Sequence, residues 1–331
     1  MSNAIEVEGL RKVYRASVRA PGLMGSFRQL LQPTYREHVA VRDVSFSIAA
    51  GERVAFVGQN GAGKSTTIKL LSGILQPDAG KARVVGFVPW RERTQLSYRI
   101  GTVFGQRSQL WYHLPVLDTF ELLRHVYDQD GEAYRARSAM LIEAFSIGPH
   151  LHKPVRQLSL GERMRCELVA SLLHAPDVLF LDEPTIGLDV AAKATIREVV
   201  RDESLRFGRT LLLTSHDTAD MERVCERVIV IHDGGIVLDE PLARLRQRYI
   251  REKRITLQVA EAAPVLDLPH VRVVESAPHR LVLELDVTRM PVDALLHAVL
   301  RTLQVQDLTV EDPPMDEIVA AIYARGSEAA S

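Results

Sequence analysis

The sequence has only two cysteines, no long apolar run and almost no net charge. Cys166 and Cys225 are far apart and lack metal-ligand spacing, which favours buried, reduced thiols. No apolar run approaches the roughly 18 residues that span a bilayer, and the N-terminal MSNAIEVEGLRK lacks the hydrophobic core of a signal peptide. We therefore expect a chain that is made and kept in the cytosol.

The charge balance gives no sign of a general affinity for polyanions. A net charge of -1 provides no global reason to expect binding to nucleic acid or to an anionic membrane, although local patches are not excluded. With 331 residues, 46% of them hydrophobic and 25% charged, the chain has the composition of an ordinary globular protein of about two domains.

The segment FVGQNGAGKSTT, residues 56–67, places a glycine-rich loop between two regular elements. The apolar residues 53–57 predict a buried parallel strand, and residues 67–71 continue with helical character. This is the setting that the phosphate-binding pattern G-x-x-x-x-G-K-[ST] requires, and the alternative is a glycine-rich turn that matches by chance. The fixed positions of the pattern are Gly58, Gly63, Lys64 and Ser65.

This loop is predicted to bind the phosphates of ATP together with Mg²⁺. Its glycines let backbone N–H groups turn inward around an anion, and the following helix directs its positive end at the same point. Lys64 would reach the β- and γ-phosphates, and the Ser65 hydroxyl would be a Mg²⁺ ligand. The predicted ATP-binding residues of the loop are Gly58, Gln59, Asn60, Gly61, Ala62, Gly63, Lys64, Ser65 and Thr66.

Two acidic residues end a second apolar strand. Residues 177–183 contain four consecutive apolar residues and then Asp182 and Glu183, at the end of a strand where open α/β sheets bind ligands. Asp182 is predicted to hold Mg²⁺ through water and Glu183 to orient or deprotonate the attacking water; two solvated acids are the alternative. A third strand, residues 210–215, ends in His216, which we predict to reach the γ-phosphate rather than to be merely structural.

Residues 158–163, Leu-Ser-Leu-Gly-Glu-Arg, open a helical pattern. Ser159 and Glu162 form an S-x-x-E capping box, which is an adequate structural explanation of these two residues. The stretch also lies about twenty residues before Asp182. In that position the whole set of motifs resembles the ATP-binding cassette (ABC) family, whose signature is typically Leu-Ser-Gly-Gly-Gln.

The resemblance covers roughly residues 4 to 245 and implies an α/β P-loop NTPase cassette at residues 1–245. Such a cassette has a RecA-like core, an antiparallel β subdomain and a helical subdomain, here at about residues 107–175. It also implies a head-to-tail homodimer in which each ATP lies between the phosphate loop of one copy and the signature of the other. The signature residues that would act in trans are Ser159, Leu160, Gly161 and Glu162, where Leu160 replaces a glycine and Glu162 a glutamine.

Further positions are similar to family residues one by one. Tyr14 resembles the aromatic residue that stacks on adenine, with Tyr35 as a rival because an insertion follows Tyr14. Gln106 resembles the glutamine that binds Mg²⁺ and reports the nucleotide state to the membrane partner, and Asp189 resembles the aspartate that links the two composite sites. The implied Mg²⁺ ligands are Ser65, Gln106 and Asp182, and the implied catalytic residues are Glu183 and His216. We therefore expect an active ATPase that uses ATP and Mg²⁺.

Because the chain has one cassette and no transmembrane segment, the resemblance implies a separate integral-membrane permease served by two copies of this chain at the cytoplasmic face. Leu110, Trp111, Tyr112 and Leu114 stand where related proteins receive the coupling helices of a permease, although an aromatic-rich loop is often packed core. The spellings VFGQRSQLW, VRQLSLGERMR and LDEPTIGLD look most similar to bacterial ABC-2-type exporter cassettes. The alternatives are the ATPase of an importer and, disfavoured by a single phosphate loop, a soluble ABC ATPase without a transport role.

Residues 15–38 are predicted to be a basic insertion with a single acid, Glu37. Interleaved apolar residues make the segment partly amphipathic. It would lie against anionic lipid or the permease, or else form a solvated loop between two early strands. Its arginines are Arg15, Arg19, Arg28 and Arg36.

A small α+β domain is predicted at residues 250–331, after the charged helical stretch PLARLRQRYIREKR. It resembles the C-terminal domains of some exporter cassettes and carries no catalytic motif, so we expect it to support packing and dimerisation rather than ligand sensing. The predicted strands are residues 255–259, 271–275, 281–286 and 307–310, and the predicted helices are residues 292–303 and 315–323.

Overall fold

The computed structural model describes residues 2–17, 35–105, 108–249, 252–260, 262, 266, 268–312, 315, 317–318 and 322. The chain divides into two compact units, Met1–Glu240 and Pro241–Ser331. The sequence placed this boundary between residues 245 and 250. The charged helix that starts at Leu242 therefore belongs to the second unit and not to the end of the cassette.

The first unit alternates strands and helices. In chain order its elements are β1 Asn3–Ser17, β2 Tyr35–Ala49, β3 Arg53–Gly58, α1 Lys64–Leu71, β4 Ala79–Val84, α2 Arg93–Ser97, β5 Ile100–Phe104, α3 Val116–Val126, α4 Gly131–Ala144, α5 Leu160–Leu172, β6 Val178–Asp182, α6 Val190–Phe207, β7 Thr210–Thr214, α7 Thr218–Val224, β8 Arg227–His232 and β9 Gly235–Pro241.

A six-stranded sheet forms the core of the first unit, in the order β5-β6-β7-β3-β8-β9. The first five strands in this order run parallel. Every residue of β6 and β7 is buried, as expected for parallel strands that are covered on both faces. Because parallel strands end at a common edge, the last residues of β3, β6 and β7, which are Gly58, Asp182 and Thr214, meet there. The predicted α/β fold is confirmed.

An antiparallel sheet, ordered β2-β1-β4, forms the predicted β subdomain. Arg15 stands opposite Glu37 in the ladder, and Arg15 Nε lies 2.9 Å from Glu37 Oε1. Residues 15–17 and 35–38 are thus strand residues, because each finds a cross-strand partner, and the predicted insertion is correspondingly shorter. Its central residues, 18–34, with Arg19 and Arg28, lie outside the described residues.

Helices α3, α4 and α5 lie within the predicted helical subdomain. Ser159 caps α5 through a complete capping box, as predicted. Cys166 and Cys225 are buried and free, also as predicted. Across the described residues, no helix combines the length and the apolar character needed to cross a membrane.

The second unit is a four-stranded antiparallel sheet with helices. Its strands follow the order β11-β12-β10-β13, so the predicted α+β architecture is confirmed. The helical stretch ends at Tyr249, earlier than predicted, because residues 252–254 pair with β12. Most of the predicted closing helix, residues 315–323, lies outside the described residues. The elements are α8 Leu242–Tyr249, β10 Glu252–Val259, β11 Val271–Ala277, β12 Arg280–Asp286, α9 Val292–Thr302 and β13 Val305–Glu311.

The second unit has a hydrophobic core of its own, in which Leu283 is fully buried beside Ile255 and Leu295. We expect Leu283→Ala to lower the free energy of unfolding of this unit by about 2–5 kcal/mol, because the lost methyl groups leave a cavity. Amide hydrogen exchange in β10 and β12 measures this loss. Val274→Ala, at an exposed position of β11, is the control and should change stability by less than about 0.5 kcal/mol. Equal losses in the two variants would contradict the core position of Leu283.

Candidate functional site

The loop between β3 and α1 is closely packed against neighbouring backbone. Gly63 has a φ of 108°, in the left-handed region that glycine favours. A Cβ atom on Gly63 would stand 2.3 Å from the carbonyl oxygen of Ala40, and one on Gly58 would stand 2.6 Å from that of Ile231. Only glycine fits at these two positions, so the loop can turn sharply into α1, which begins at the next residue.

Lys64 is buried at the start of α1. Its Nζ atom donates to the main-chain oxygen of Gly58 at 2.6 Å and lies 3.5 Å from Nε2 of His216. Burial lowers the pKa of Lys64, whereas the negative charges of Glu183 and Asp182 act in the opposite direction. The predicted histidine and the two predicted acids therefore lie around the ammonium group of Lys64.

The Asp182 carboxylate connects three elements of the core. Its Oδ1 atom accepts a hydrogen bond from Ser65 Oγ at 2.9 Å and another from Thr214 Oγ1 at 2.7 Å. These residues stand on α1, β6 and β7. Hydroxyl and carboxylate oxygens are the donors that Mg²⁺ prefers, so Ser65 and Asp182 fit the predicted metal.

Glu183 follows β6 with a φ of 54°, which is a strained conformation for a residue other than glycine. Its N–H group donates to the carbonyl oxygen of Thr214 at 3.0 Å and to the Thr214 hydroxyl at 3.1 Å. Its Oε1 atom lies 2.7 Å from Nε2 of His216. The structure thus brings the two predicted catalytic side chains into direct contact.

A cavity of about 290 Å³ opens where the loop meets the carboxyl edge of the sheet. Both predicted acids and the predicted hydroxyl line it, so the cavity can receive a phosphate group beside them. Its lining residues are Asn60, Ser65, Lys69, Ile74, Phe104, Gly105, Asp182 and Glu183.

The sequence did not reveal Asp220, a buried residue of α7. Its carboxylate accepts hydrogen bonds at 2.5 Å from Thr185 Oγ1, from Ser215 Oγ and from Arg197 Nε. Thr185 lies two residues after Glu183 and Ser215 directly precedes the predicted histidine. Asp220 therefore fixes the two loops that carry the predicted catalytic residues Glu183 and His216. Thr214 was also missed, although its position at the end of an apolar strand was a usable signal.

Glu167 is a second buried acid without a predicted role. Its side chain, in the middle of α5, accepts hydrogen bonds from Ser108 Oγ and from the Gln109 N–H group, the latter at 3.1 Å. The Gln109 side chain donates to the main-chain oxygen of Glu167 at 3.1 Å. Burial raises the pKa of Glu167, against the effect of these hydrogen bonds. The segment just after residue 107 is thereby fixed to α5.

The signature residues are absent from the lining of this cavity. Ser159 Oγ accepts from the Glu162 N–H group at 3.3 Å, and Glu162 Oε2 accepts from the Ser159 N–H group at 2.8 Å. The bond from Ser159 is the main reason that the pKa of Glu162 is lowered, so this carboxylate stays ionised. Leu160 lies over the backbone of Gly187, 3.1 Å from the position of a Cβ atom there, and Gly161 lies beside Ala192.

Asp189 caps α6, accepting a hydrogen bond from the Ala192 N–H group at 2.9 Å. Tyr14 and Tyr35 are both exposed, on β1 and β2, and neither lines the cavity, so the choice between them stays a prediction. Gln106 lies outside the described residues.

The predicted docking segment is divided between core and surface. Leu110 is buried, whereas Trp111 and Tyr112 are 53% and 54% exposed. The two aromatic residues are therefore not core residues of this unit.

Comparison with known proteins gives matches along most of the chain. A family model described as "ABC transporter" matches residues 41–186, and one described as "AAA domain, putative AbiEii toxin, Type IV TA system" matches residues 153–220. The daunorubicin resistance ATP-binding protein DrrA3 of Streptomyces coeruleorubidus is 34% identical over 293 residues, which cover 86% of this chain and 91% of that protein. A fluoroquinolones export ATP-binding protein of Mycobacterium tuberculosis is 31% identical over 313 residues, covering 93% of each chain.

The second of these alignments includes most of the second unit, since the first unit ends at Glu240. A solved structure, an ATP-binding subunit of an ABC transporter, is 25% identical and superimposes with a TM-score of 0.63 over 74% of this chain and 93% of that one. The name of the first relative refers to drug resistance and the name of the second to export. The chain therefore belongs to the ABC transporter family, as one of its ATP-binding, ATP-hydrolysing subunits.

Proposed function

We propose that this chain is the ATPase subunit of an ABC-2-type exporter and drives a separate permease from the cytoplasmic face of the membrane. The observation that carries the proposal is the cluster of Lys64, Asp182, Glu183 and His216 at one edge of the parallel sheet. Export, rather than import, is supported by the resistance and export functions in the names of relatives that align with most of this chain.

The phosphate loop and Lys64 bind the triphosphate. The Lys64 ammonium meets the β- and γ-phosphates, where its positive charge offsets their negative charge. Mg²⁺, when bound, neutralises further charge on these phosphates, and the residues that would hold it are Ser65, Asp182 and Gln106.

Glu183 is the general base of the proposed reaction. Its carboxylate accepts a proton from the water whose oxygen bonds to the γ-phosphorus, while the bond from that phosphorus to the bridging oxygen breaks and ADP leaves. The two hydrogen bonds to Thr214 fix the backbone from which the Glu183 side chain extends. His216 Nε2, at 2.7 Å from Glu183 Oε1 and 3.5 Å from Lys64 Nζ, orients this carboxylate and would contact the γ-phosphate that Lys64 binds. Asp220 acts as a positioning residue for both loops.

A second copy of the chain completes each site. Ser159 and Gly161 would face the γ-phosphate of the partner, and the Ser159 hydroxyl suits this role because it only accepts within the capping box and keeps its own proton to donate. Exposed apolar side chains around the signature support such an interface: Leu160, Ile186 and Val190, the last 83% exposed.

The permease would dock on the exposed aromatic residues Trp111 and Tyr112. Large exposed aromatic side chains are typical anchors of protein interfaces. Their connection to α5 through Ser108, Gln109 and Glu167 provides a physical route from this surface to the signature.

We expect Glu183→Gln to keep ATP affinity but to lower the turnover number by about 10²-fold or more, because the amide cannot accept the proton. The variant should form an ATP-dependent dimer, which light scattering measures. Affinity purification of this variant from native membranes with ATP and Mg²⁺ should recover an integral-membrane protein. Recovery of soluble partners alone, or of a solute-binding protein with the permease, would rule out the exporter.

Thr214→Val tests the shared contact on Asp182. The change leaves the carboxylate without one hydroxyl donor, and we expect about a tenfold or larger fall in kcat at saturating ATP and Mg²⁺. Thr210→Val is a matched control at the other end of β7, where the hydroxyl only accepts from the Gly51 N–H group at 2.9 Å. Equal kcat values for Thr214→Val and Thr210→Val would contradict a positioning role for Thr214.

Glu162→Gln tests whether the signature faces the phosphates of a partner. In a Glu183→Gln background the amide keeps the capping box but removes a negative charge, so the ATP-bound dimer should bind about two- to fivefold more tightly. The difference should shrink with rising salt. Glu198→Gln, at an exposed position of α6, is the control and should leave dimer affinity unchanged. A salt-independent result, or the same gain in the control, would argue against the trans arrangement.

A further inference from the structure

A second cluster of charged side chains lies at the opposite end of the parallel strands from the nucleotide cavity. It surrounds the corner where α6 ends at Phe207 and β7 begins at Thr210. A cavity of about 550 Å³ opens there, lined by side chains that include Arg137, Arg209 and Phe207. None of the described residues to which we assign a role in ATP hydrolysis lines this cavity.

The two cavity-lining arginines are incompletely bonded. Arg209 is only 4% exposed; its Nη1 atom donates to the main-chain oxygen of Pro176, and its Nε atom is buried without a hydrogen-bond partner. Arg137, from α4, donates through Nε to the main-chain oxygen of Leu172 at 2.8 Å, and its buried Nη2 atom forms an ion pair with Glu203 Oε2 at 3.8 Å. Buried polar groups are normally satisfied, so the Arg209 Nε–H group, for which the described residues provide no acceptor, points to a missing one.

Positive charge exceeds negative charge in the buried part of this cluster. The guanidinium carbons of Arg137 and Arg209 each lie 5.2 Å from the centroid of the Phe207 ring. Among the described residues the buried acid beside them is Glu203, whose Oε2 atom accepts no hydrogen bond there and forms a 3.8 Å ion pair with Arg137 Nη2. Asp177, also at the cavity, is paired with Arg99.

The lowered pKa values of the two arginines are consistent with this excess of positive charge. The pKa of Arg209 is lowered to about 10, first by burial and then by the charge of Arg137, against the opposing effect of Glu203. Burial also lowers the pKa of Arg137. A negatively charged ligand between the two guanidinium groups would counter both effects.

We propose that this cavity binds a small oxyanion, the phosphate or carboxylate group of a small molecule, between Arg137 and Arg209. The planar guanidinium group presents several N–H donors to such an anion, and the cavity is large enough for a group of this size. The bound anion bridges α4 of the helical subdomain and the α6–β7 corner of the core. The site is thus a place where a metabolite can restrain one subdomain against the other.

Titration of the full-length chain with inorganic phosphate, pyrophosphate and citrate tests the proposal. The experiment uses a Lys64→Ala background to weaken phosphate binding at the phosphate loop, and it measures the melting temperature and the Kd by calorimetry at constant ionic strength. We expect a saturable rise in melting temperature with at least one of the three anions. Binding of phosphate and pyrophosphate but not of citrate would identify a phosphate site. Binding of citrate but not of the other two anions would identify a carboxylate site.

Three variants locate the binding. Arg209→Met should raise the Kd about tenfold or more, because it removes a charged donor. Ala50→Glu keeps both arginines but adds a carboxylate to the cavity lining, so it should abolish the response even if Arg209→Met folds poorly. Arg206→Met is the matched control: Arg206 also lies 5.4 Å from the Phe207 ring but is exposed and outside the cavity lining, so the Kd should change less than twofold.

Three results would overturn the proposal. The first is the absence of a saturable response to all three anions. The second is a rise in melting temperature that does not saturate or is equal in all variants, since this indicates a general ion effect. The third is saturable binding that survives Ala50→Glu, since this places the anion elsewhere on the chain.

Discussion

One oxygen of Asp182 is the contact on which the geometry of the catalytic edge depends. Because Ser65 and Thr214 both donate to it, the start of α1 and the ends of β6 and β7 are fixed to one point. The parallel sheet makes this convergence possible, since its strands deliver their last residues to a common edge. A carboxylate in so buried a place needs these donors, because an unsatisfied one would cost several kcal/mol. The stability of the edge and the position of the reacting groups therefore rest on the same hydrogen bonds.

Local patterns were sufficient to predict the phosphate loop, the two acids and the capping box, because in each case the motif defines its own backbone geometry. Thr214, Asp220 and Glu167 were not predicted, since their roles come from distant partners. Thr214 and Asp182 are 32 residues apart in sequence, and Glu167 and Ser108 are 59 residues apart. No periodicity within a short window contains that information.

The predicted element boundaries were wrong where strand pairing, rather than local composition, determines the conformation. Residues 15–17 and 35–38 read as part of a basic insertion, and residues 252–254 as the end of a charged helix. In each case backbone partners in a neighbouring strand decide the conformation, and described charged side chains form cross-strand pairs such as Arg15 with Glu37 and Arg254 with Glu284. The direction of the Leu160 side chain, over Gly187, is likewise a tertiary property that no single-residue rule could supply.

The buried carboxylate of Glu167 fixes α5 to the segment that precedes the exposed aromatic residues Trp111 and Tyr112. This helix has 13 residues, so at 1.5 Å per residue it is about 20 Å long and stiff over that length. The point of attachment, near the middle of the helix, is the set of hydrogen bonds that join Glu167 to Ser108 and Gln109. In the docking arrangement proposed above, a displacement of Trp111 and Tyr112 would therefore act on α5 through these hydrogen bonds and would tilt the helix end that carries Ser159.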